Sequence, residues 1–223
     1  MTLRPTDVGC QLGVASSRNG SAEIWYAWAG DHAEDIERFS RDLLSDEERA
    51  HLAGYRVREA AERYVVTRSL VRAVLSDRLS LSPREIRVKR TDTGKPVLTQ
   101  GLHFNVSHSG DLILMAISDD RAVGVDIERK RDVQRVDALL GRWLSNEEQS
   151  AFSNLRARGV SPSDAFLRLW SLKEARLKAL GVGISGASRA RLDLVDAFPL
   201  DNLLDQLAAQ RSGPEYVGAI AFA

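Results

Sequence analysis

Two segments of the sequence begin with nearly the same five residues, 100 positions apart. LSDEE at residues 44–48 returns as LSNEE at residues 144–148. In each copy a serine precedes a glutamate by three residues, which is the capping box that begins many helices. Capped helix starts also arise without duplication, but each copy here is followed by a long amphipathic helix and then by strands. We therefore predict two similar lobes, residues 1–119 and 120–223, with a cleft between them.

Hydrophobic periodicity predicts two helical blocks and several short strands. Apolar residues recur at helical spacing over residues 45–81 and over 133–180, with an interruption near residues 159–162. Short β-rich segments separated by turn residues are the predicted strands. They are residues 24–28, 86–88, 104–106, 112–117, 123–127, 192–195 and 216–222. The predicted fold class is α+β, with two lobes related by pseudo-twofold symmetry, each a small, mostly antiparallel sheet packed against helices.

The composition excludes several function classes. With 43% hydrophobic and 28% charged residues the chain is typical of a globular protein, and 31 basic residues balance 31 acidic ones. It therefore lacks the basic excess of most proteins that bind nucleic acids or anionic membranes. Cys10 is the single cysteine, which excludes an internal disulfide and fits a reducing compartment. The longest apolar run, residues 112–117, is too short to span a membrane, so we expect a cytoplasmic protein.

A pair of acids poses an electrostatic problem within the predicted strand 123–127. Asp126 and Glu128 are two residues apart, so a strand extended through them places both carboxylates on one face. At about 5 Å and an effective dielectric constant near 20, their repulsion is roughly 3 kcal/mol. One solution is neutralisation by the basic residues at 129–131, and another is a bound cation.

A third acid favours the cation. On a helical wheel Glu174 lies at the edge of an apolar stripe, four residues before Lys178. Spacing alone favours a surface ion pair between these two residues. Together, however, Asp126, Glu128 and Glu174 offer three carboxylate oxygens, the ligands that Mg²⁺ prefers. No histidine or cysteine spacing supports zinc.

Four further residues suggest recognition of an anion. Lys173 lies inside the apolar stripe, and a buried lysine needs an anionic partner, either a phosphate or a carboxylate. Lys95 follows a Gly94 turn in a segment that lacks the serine or threonine of a P-loop. Ser107 and His108 are neighbours on a strand and point in opposite directions, so they do not form a nucleophile pair, although His108 is able to donate to a phosphate. An ordinary turn and a structural histidine are the simpler alternatives.

Four motifs in this order resemble those of the 4′-phosphopantetheinyl transferases, specifically the two-lobed type of the surfactin-synthetase activator. They are GKP at residues 94–96, FNVSHS at 104–109, GVDIE at 124–128 and WSLKE at 170–174, followed by Lys178. The resemblance extends from about residue 45 to residue 185. Members of this family transfer the phosphopantetheine arm of coenzyme A to a serine of an apo acyl or peptidyl carrier protein and release adenosine 3′,5′-bisphosphate.

The resemblance implies a role for each site residue. Asp126, Glu128 and Glu174 would hold Mg²⁺, or Mn²⁺ in its place, against the coenzyme A pyrophosphate. The implied contacts to coenzyme A are Arg63, Lys95, Ser107, His108, Lys173 and Lys178. The implied catalytic residues are Glu148 as the base for the carrier serine, directly or through water, with Lys178 and Glu174 at the reacting phosphate. Trp170 would pack beneath the site, and the protein would be a monomer.

Two positions depart from the family pattern. Where that type has lysines for the 3′-phosphate of coenzyme A, this chain has Glu48 and His51. Arg56, Arg58 and Arg63 are the candidates to compensate for the lost charge.

Two alternative functions use the same groups. One is a non-catalytic module that binds coenzyme A or a carrier protein, although such a module would not need three acids for a metal. The other is a Mg²⁺-dependent pyrophosphate hydrolase. The sequence does not select among carriers of fatty-acid, polyketide or nonribosomal peptide synthases or of lysine biosynthesis.

Overall fold

The first sheet is built around a strand that is buried along its whole length. The computed structural model describes residues 3–17, 20–99, 101–183, 196–211 and 213–223. The strands of this antiparallel sheet are β1 (Cys10–Ser17), β2 (Gly20–Trp28), β5 (His103–Ser109) and β6 (Leu112–Ser118), in the order β1-β2-β6-β5. Every residue of β6 is buried, as its unbroken apolar sequence predicts. The predicted strands at 24–28, 104–106 and 112–117 are confirmed within β2, β5 and β6.

The helical block predicted over residues 45–81 is two helices. They are α2 (Asp46–Leu52) and α3 (Arg58–Leu79), and α1 (Ile36–Asp42) precedes them. The break contains Gly54, a poor helix former, and the residue before α3, Val57, is extended. The long helix α3 buries Val65, Leu70 and Leu75 against the first sheet.

The strand predicted at residues 86–88 is wrong. A two-stranded ribbon forms just afterwards instead, from β3 (Lys89–Arg90) and β4 (Pro96–Val97). Ile86 is buried in the core, and its carbonyl oxygen accepts a hydrogen bond from Arg72 Nη1 at 3.3 Å. A side chain therefore satisfies this backbone group where a neighbouring strand was expected.

The second sheet carries the acidic strand at its edge. The antiparallel order is β7-β9-β8, from β7 (Val123–Arg129), β8 (Asp196–Pro199) and β9 (Tyr216–Phe222). Its helices are α4 (Val136–Trp143), α5 (Asn146–Ala157), α6 (Pro162–Leu180) and α7 (Asp201–Gln210). The predicted α+β class, with antiparallel sheets packed against helices, is confirmed. The strand predicted at residues 192–195 lies outside the described residues. No helix in the described ranges is long and apolar enough to cross a membrane.

The two capping boxes are built alike in three dimensions. Ser45 Oγ and Ser145 Oγ each accept a hydrogen bond from the backbone N–H of the glutamate three residues on, and the carboxylate of that glutamate accepts one from the serine backbone N–H. A cation from the following long helix binds each glutamate: Arg72 Nε lies 2.5 Å from Glu48, and Lys173 Nζ lies 2.9 Å from Glu148. This shared arrangement supports the predicted duplication, while the two-lobe symmetry itself remains a prediction.

The crossing of α6 over β7 depends on Gly124. A Cβ at this position would overlap the carbonyl oxygen of Ala175 and the amide nitrogen of Ala179, both of them backbone atoms of α6. We therefore expect Gly124→Ala to lower the free energy of unfolding by about 3 kcal/mol, because neither backbone can yield cheaply. Chemical denaturation measures the change.

Gly141 in α4 is the matched control for this substitution. A Cβ there meets nothing within 4 Å, so Gly141→Ala should leave stability unchanged or raise it by about 0.5–1 kcal/mol. Equal stability of the two alanine variants would show that α6 does not press on β7 as described.

Candidate active site

The close crossing at Gly124 brings α6 side chains onto the acids of β7. Asp126 is 6% exposed, and its Oδ1 lies 2.6 Å from Lys178 Nζ. Lys178 Nζ also donates to Ser107 Oγ at 3.1 Å and to the Val125 carbonyl oxygen at 3.2 Å. Lys178 therefore points to the acidic strand, and the surface ion pair with Glu174 that spacing alone favoured is not the contact that this ammonium makes.

Each acid of the β7 pair has a cation of its own. Lys178 neutralises Asp126, while Arg131 Nη1 lies 2.7 Å from Glu128 Oε2. Of the basic run at 129–131, Lys130 pairs instead with Glu215 at 2.6 Å. The repulsion between Asp126 and Glu128 is thus relieved by two cations. Lys178 comes from the distant helix α6, and Arg131 comes from the segment that directly follows β7.

The three acids remain short of compensating charge. Burial raises the pKa of Asp126, and burial followed by repulsion from Asp126 and Glu128 raises the pKa of Glu174 above its ordinary value. Asp126 Oδ2 is buried without a hydrogen-bond partner. Hard oxygen donors, excess negative charge and an unpaired buried oxygen suit a divalent cation.

The carboxylates do not converge in the arrangement described. Within the described ranges, no group of three or more histidine, cysteine, aspartate or glutamate residues is placed to hold a metal ion. The three carboxylates fit Mg²⁺ by their chemistry and charge, but their side chains would have to move closer together to bind the ion.

Lys173 has the anionic partner that its burial requires. The side chain is 8% exposed, and its Nζ lies 2.9 Å from Glu148 Oε2. The same oxygen accepts the Ser145 backbone N–H at 2.8 Å. Of the two partners predicted for this lysine, a phosphate or a carboxylate, the structure shows the carboxylate.

A cavity of about 340 Å³ between α3 and β5 is lined by several basic side chains. Arg63 and His108 both line it, as the resemblance implied for residues that contact phosphate. Burial, and then the charges of Arg63 and Lys178, lower the pKa of His108. The cavity therefore offers a guanidinium and a largely neutral imidazole at neutral pH.

Comparison with known proteins places this chain in a family. The model of the 4′-phosphopantetheinyl transferase superfamily matches residues 122–213, and that of the 4′-phosphopantetheinyl transferase N-terminal region matches residues 28–120. The 4′-phosphopantetheinyl transferase HetI of Nostoc sp. is 30% identical over 70% of this chain and 67% of its own. The chain belongs to the 4′-phosphopantetheinyl transferase family.

Other relatives carry the same description. The 4′-phosphopantetheinyl transferase Sfp of Bacillus subtilis is 33% identical over 68% of this chain and 66% of its own, and the phosphopantetheinyl transferase of Thraustochytrium sp. is 33% identical over 68% and 57%. The chain thus spans between about half and two thirds of the length of its relatives. A holo-(acyl-carrier-protein) synthase of Bacillus anthracis, solved with coenzyme A, aligns over 48% of this chain and 94% of its own with 20% identity and a TM-score of 0.37.

Lys95 and Ser107, which the family motifs predicted at the site, make hydrogen bonds to other residues of the protein. Lys95 Nζ donates to the Ala179 carbonyl oxygen at 2.7 Å, and burial lowers its pKa to about 8. Ser107 Oγ donates to Asp126 Oδ1 at 2.9 Å, so this side chain of β5 faces the acidic strand β7 and does not line the cavity beside His108.

One of the two departures from the family pattern, Glu48, has a local partner. Glu48 is bound by Arg72, so its charge is neutralised before it reaches the cavity. Of the proposed compensating arginines, Arg58 pairs with Glu62 at 2.6 Å, whereas Arg63 lines the cavity.

The sequence analysis missed two arginines that line the cavity between α3 and β5. Arg68 and Arg90 both line it, and the buried Nε of Arg68 has no hydrogen-bond partner, its nearest carboxylate oxygen being Glu48 Oε1 at 4.0 Å. Arg68 lies five positions after Arg63 on α3, and Arg90 faces Pro96 across the β3–β4 ribbon. The available signal was the density of arginines before the GKP motif, but nothing in the local pattern shows which of them face the same cavity.

Proposed function

We propose that this protein is a Mg²⁺-dependent 4′-phosphopantetheinyl transferase that moves the phosphopantetheine arm of coenzyme A to a serine of an apo carrier protein. The observation that carries the proposal is the set of three acids Asp126, Glu128 and Glu174, of which Asp126 is paired with Lys178, in a chain of this family. In the reaction the serine oxygen bonds to the phosphorus that bears the pantetheine arm, and the bond to the adenosine 3′,5′-bisphosphate oxygen breaks. The serine proton passes to a base.

The acids and cations divide the work on the pyrophosphate. Asp126, Glu128 and Glu174 would hold Mg²⁺, which when bound neutralises charge on the pyrophosphate oxygens. Lys178 adds a positive charge beside the same acids, and the cavity with Arg63, Arg68, Arg90 and His108 binds the remaining phosphate of coenzyme A. No covalent enzyme intermediate is required, because phosphoryl transfer depends mainly on positioning and on charge neutralisation.

Glu148 is the proposed base for the carrier serine. Its Oε2 is fixed by Lys173 and by the Ser145 backbone, which orients Oε1 to accept the serine proton directly or through one water. Lys173 then contributes by holding the base rather than by contacting coenzyme A. We further propose a cytoplasmic monomer in which the cleft between the two predicted lobes forms the site.

Lys95 is a nucleotide contact that the family resemblance implies, and such a contact would make nucleotide binding depend on pH. Its pKa of about 8 means that the ammonium is charged below pH 8 and neutral above it, so affinity for a phosphate should fall as the pH rises. We expect adenosine 3′,5′-bisphosphate to bind about tenfold more weakly at pH 9.5 than at pH 7, the size of one charge-assisted hydrogen bond. Titration calorimetry at the two pH values measures this difference.

Lys95→Arg is the control for this titration. An arginine stays protonated at both pH values, so the variant should bind the nucleotide equally at pH 7 and 9.5. An unchanged dissociation constant for the wild-type protein across this range would contradict the assigned contact.

Coproduct release distinguishes transfer from the two alternatives. The protein is incubated with coenzyme A and Mg²⁺, with and without apo carriers of fatty-acid, polyketide and nonribosomal peptide type, and adenosine 3′,5′-bisphosphate is measured by chromatography. Transfer predicts release that requires an apo carrier whose serine is intact. Release without carrier would indicate a hydrolase, and binding of coenzyme A unaffected by Mg²⁺, without release, would indicate a binding module.

A further inference from the structure

The edge of the acidic strand is held by side chains of a neighbouring strand. β7 is the outer strand of its sheet, so alternate backbone N–H groups on its free edge need acceptors from elsewhere. Asn105 Oδ1 accepts from the Val125 N–H at 2.9 Å. Ser109 Oγ accepts from the Arg129 N–H at the same distance, and between them Ser107 Oγ accepts from the Ile127 N–H at 3.3 Å.

The two serines of this row also bind the acids. Ser107 Oγ donates to Asp126 Oδ1 at 2.9 Å, and Ser109 Oγ donates to Glu128 Oε2 at 3.4 Å. Each hydroxyl therefore accepts from a backbone N–H of β7 and donates to the carboxylate of the residue before it. Because a hydroxyl has one hydrogen and two lone pairs, a single serine makes both bonds, which ties the carboxylate to the backbone register of its own strand.

Glu128 has a competing partner that points away from the site. Arg131 Nη1 lies 2.7 Å from the same Oε2, and the Arg131 side chain is 53% exposed. Glu128 itself has only an 18% exposed side chain. Without the Ser109 hydroxyl, the remaining interaction would draw the carboxylate toward solvent.

We propose that Ser109 is a positioning residue, which fixes β7 through Arg129 and directs Glu128 toward Asp126 and Glu174. The role of these acids in the reaction rests on the proposed function, whereas the contact between Ser109 and β7 does not. Hydrogen-bond partners of metal-binding carboxylates typically change metal affinity or activity by about 10- to 100-fold when they are removed.

The test compares Ser109→Ala with Ser109→Thr, which restores a hydroxyl. The control is Ser118→Ala on β6, where the hydroxyl donates to the Ser21 carbonyl oxygen and touches none of the three acids. We expect Ser109→Ala to raise the Mg²⁺ concentration for half-maximal transfer about 10-fold and to leave the affinity for coenzyme A in metal-free buffer unchanged. Threonine should restore the Mg²⁺ requirement, and Ser118→Ala should not alter it.

Two readouts are independent of turnover. Hydrogen exchange measured by NMR should show that the Arg129 amide exchanges faster in Ser109→Ala than in the wild type. A crystal structure of that variant should show the Glu128 side chain turned toward Arg131. If the wild type transfers nothing, the proposed function fails, and these two readouts still decide the role of Ser109. Equal exchange with an unmoved Glu128, or an unchanged Mg²⁺ requirement in an active Ser109→Ala enzyme, would overturn the proposal.

Discussion

We expect Asp126→Ala and Glu174→Ala each to abolish phosphopantetheine transfer while leaving the protein folded. The expected loss is at least about 100-fold, because a catalytic cation contributes several kcal/mol and each 1.36 kcal/mol is a factor of ten in rate. Asp126→Asn and Glu174→Gln should lose as much, since an amide keeps the shape of the side chain but not its charge. Transfer is followed by the mass of the carrier, and folding by circular dichroism.

The stability of the same variants separates a metal site from a structural ion pair. Burial and the neighbouring acids raise the folded-state pKa of Glu174, so its ionisation costs stability once the pH exceeds the ordinary value of 4.5. Glu174→Gln removes this cost and should raise the melting temperature at pH 7 in metal-free buffer, with the gain vanishing as the pH falls toward 4. For Asp126 the lost contact with Lys178 offsets part of the gain.

A suitable control acid lies outside the cluster. Glu215 pairs with Lys130 on the surface, so Glu215→Gln should keep full activity and change stability little. Wild-type transfer rates in Asp126→Ala or Glu174→Ala would contradict the assignment of these acids to a metal.

The second large effect is expected at Lys173. Lys173→Met leaves Glu148 beside an apolar side chain at a site where the lysine is 8% exposed and the glutamate 16%. Removing one partner of a buried ion pair should lower the free energy of unfolding by about 3 kcal/mol. The substitution should also lower the rate of transfer about 100-fold, because Glu148, the proposed base, loses the contact that orients its carboxylate.

The repeated capping box supplies the matched variant. Arg72 holds Glu48 as Lys173 holds Glu148, and its side chain is 4% exposed. Arg72→Met should therefore lose comparable stability but retain most activity at a temperature where both variants are folded. Equal loss of activity in the two variants would mean that Lys173 acts only through stability, and Glu148 would no longer be supported as the base.

Much of the local structure was predictable because it depends on local pattern. The buried strand β6, the acidic strand β7 and the long helices α3 and α6 all follow from periodicity. The position of Lys173 inside an apolar stripe predicted a buried lysine with an anionic partner, and Glu148 is that partner. The grouping of Asp126 with Glu174 followed from the chemistry that three acids share.

The rest depends on contacts that no local pattern encodes. At residues 86–88 the Ile86 carbonyl oxygen accepts a hydrogen bond from Arg72 where a neighbouring strand was expected, and β1 has too few apolar residues in alternation to be recognised. The turn of Lys178 toward Asp126 depends on the close crossing at Gly124. Of the arginines of the cavity, Arg63 and Arg68 lie on α3 and Arg90 lies on β3, so tertiary structure brings Arg90 to the other two.

The mass of an apo carrier protein, measured after incubation with this protein and coenzyme A in Mg²⁺ or in EDTA, tests the central claim most directly. The account predicts that the carrier gains one phosphopantetheine in Mg²⁺, that EDTA prevents the gain, and that a carrier whose serine is replaced by alanine gains nothing. An unchanged mass in Mg²⁺ for carriers of every type, with a folded protein that binds coenzyme A, would contradict it.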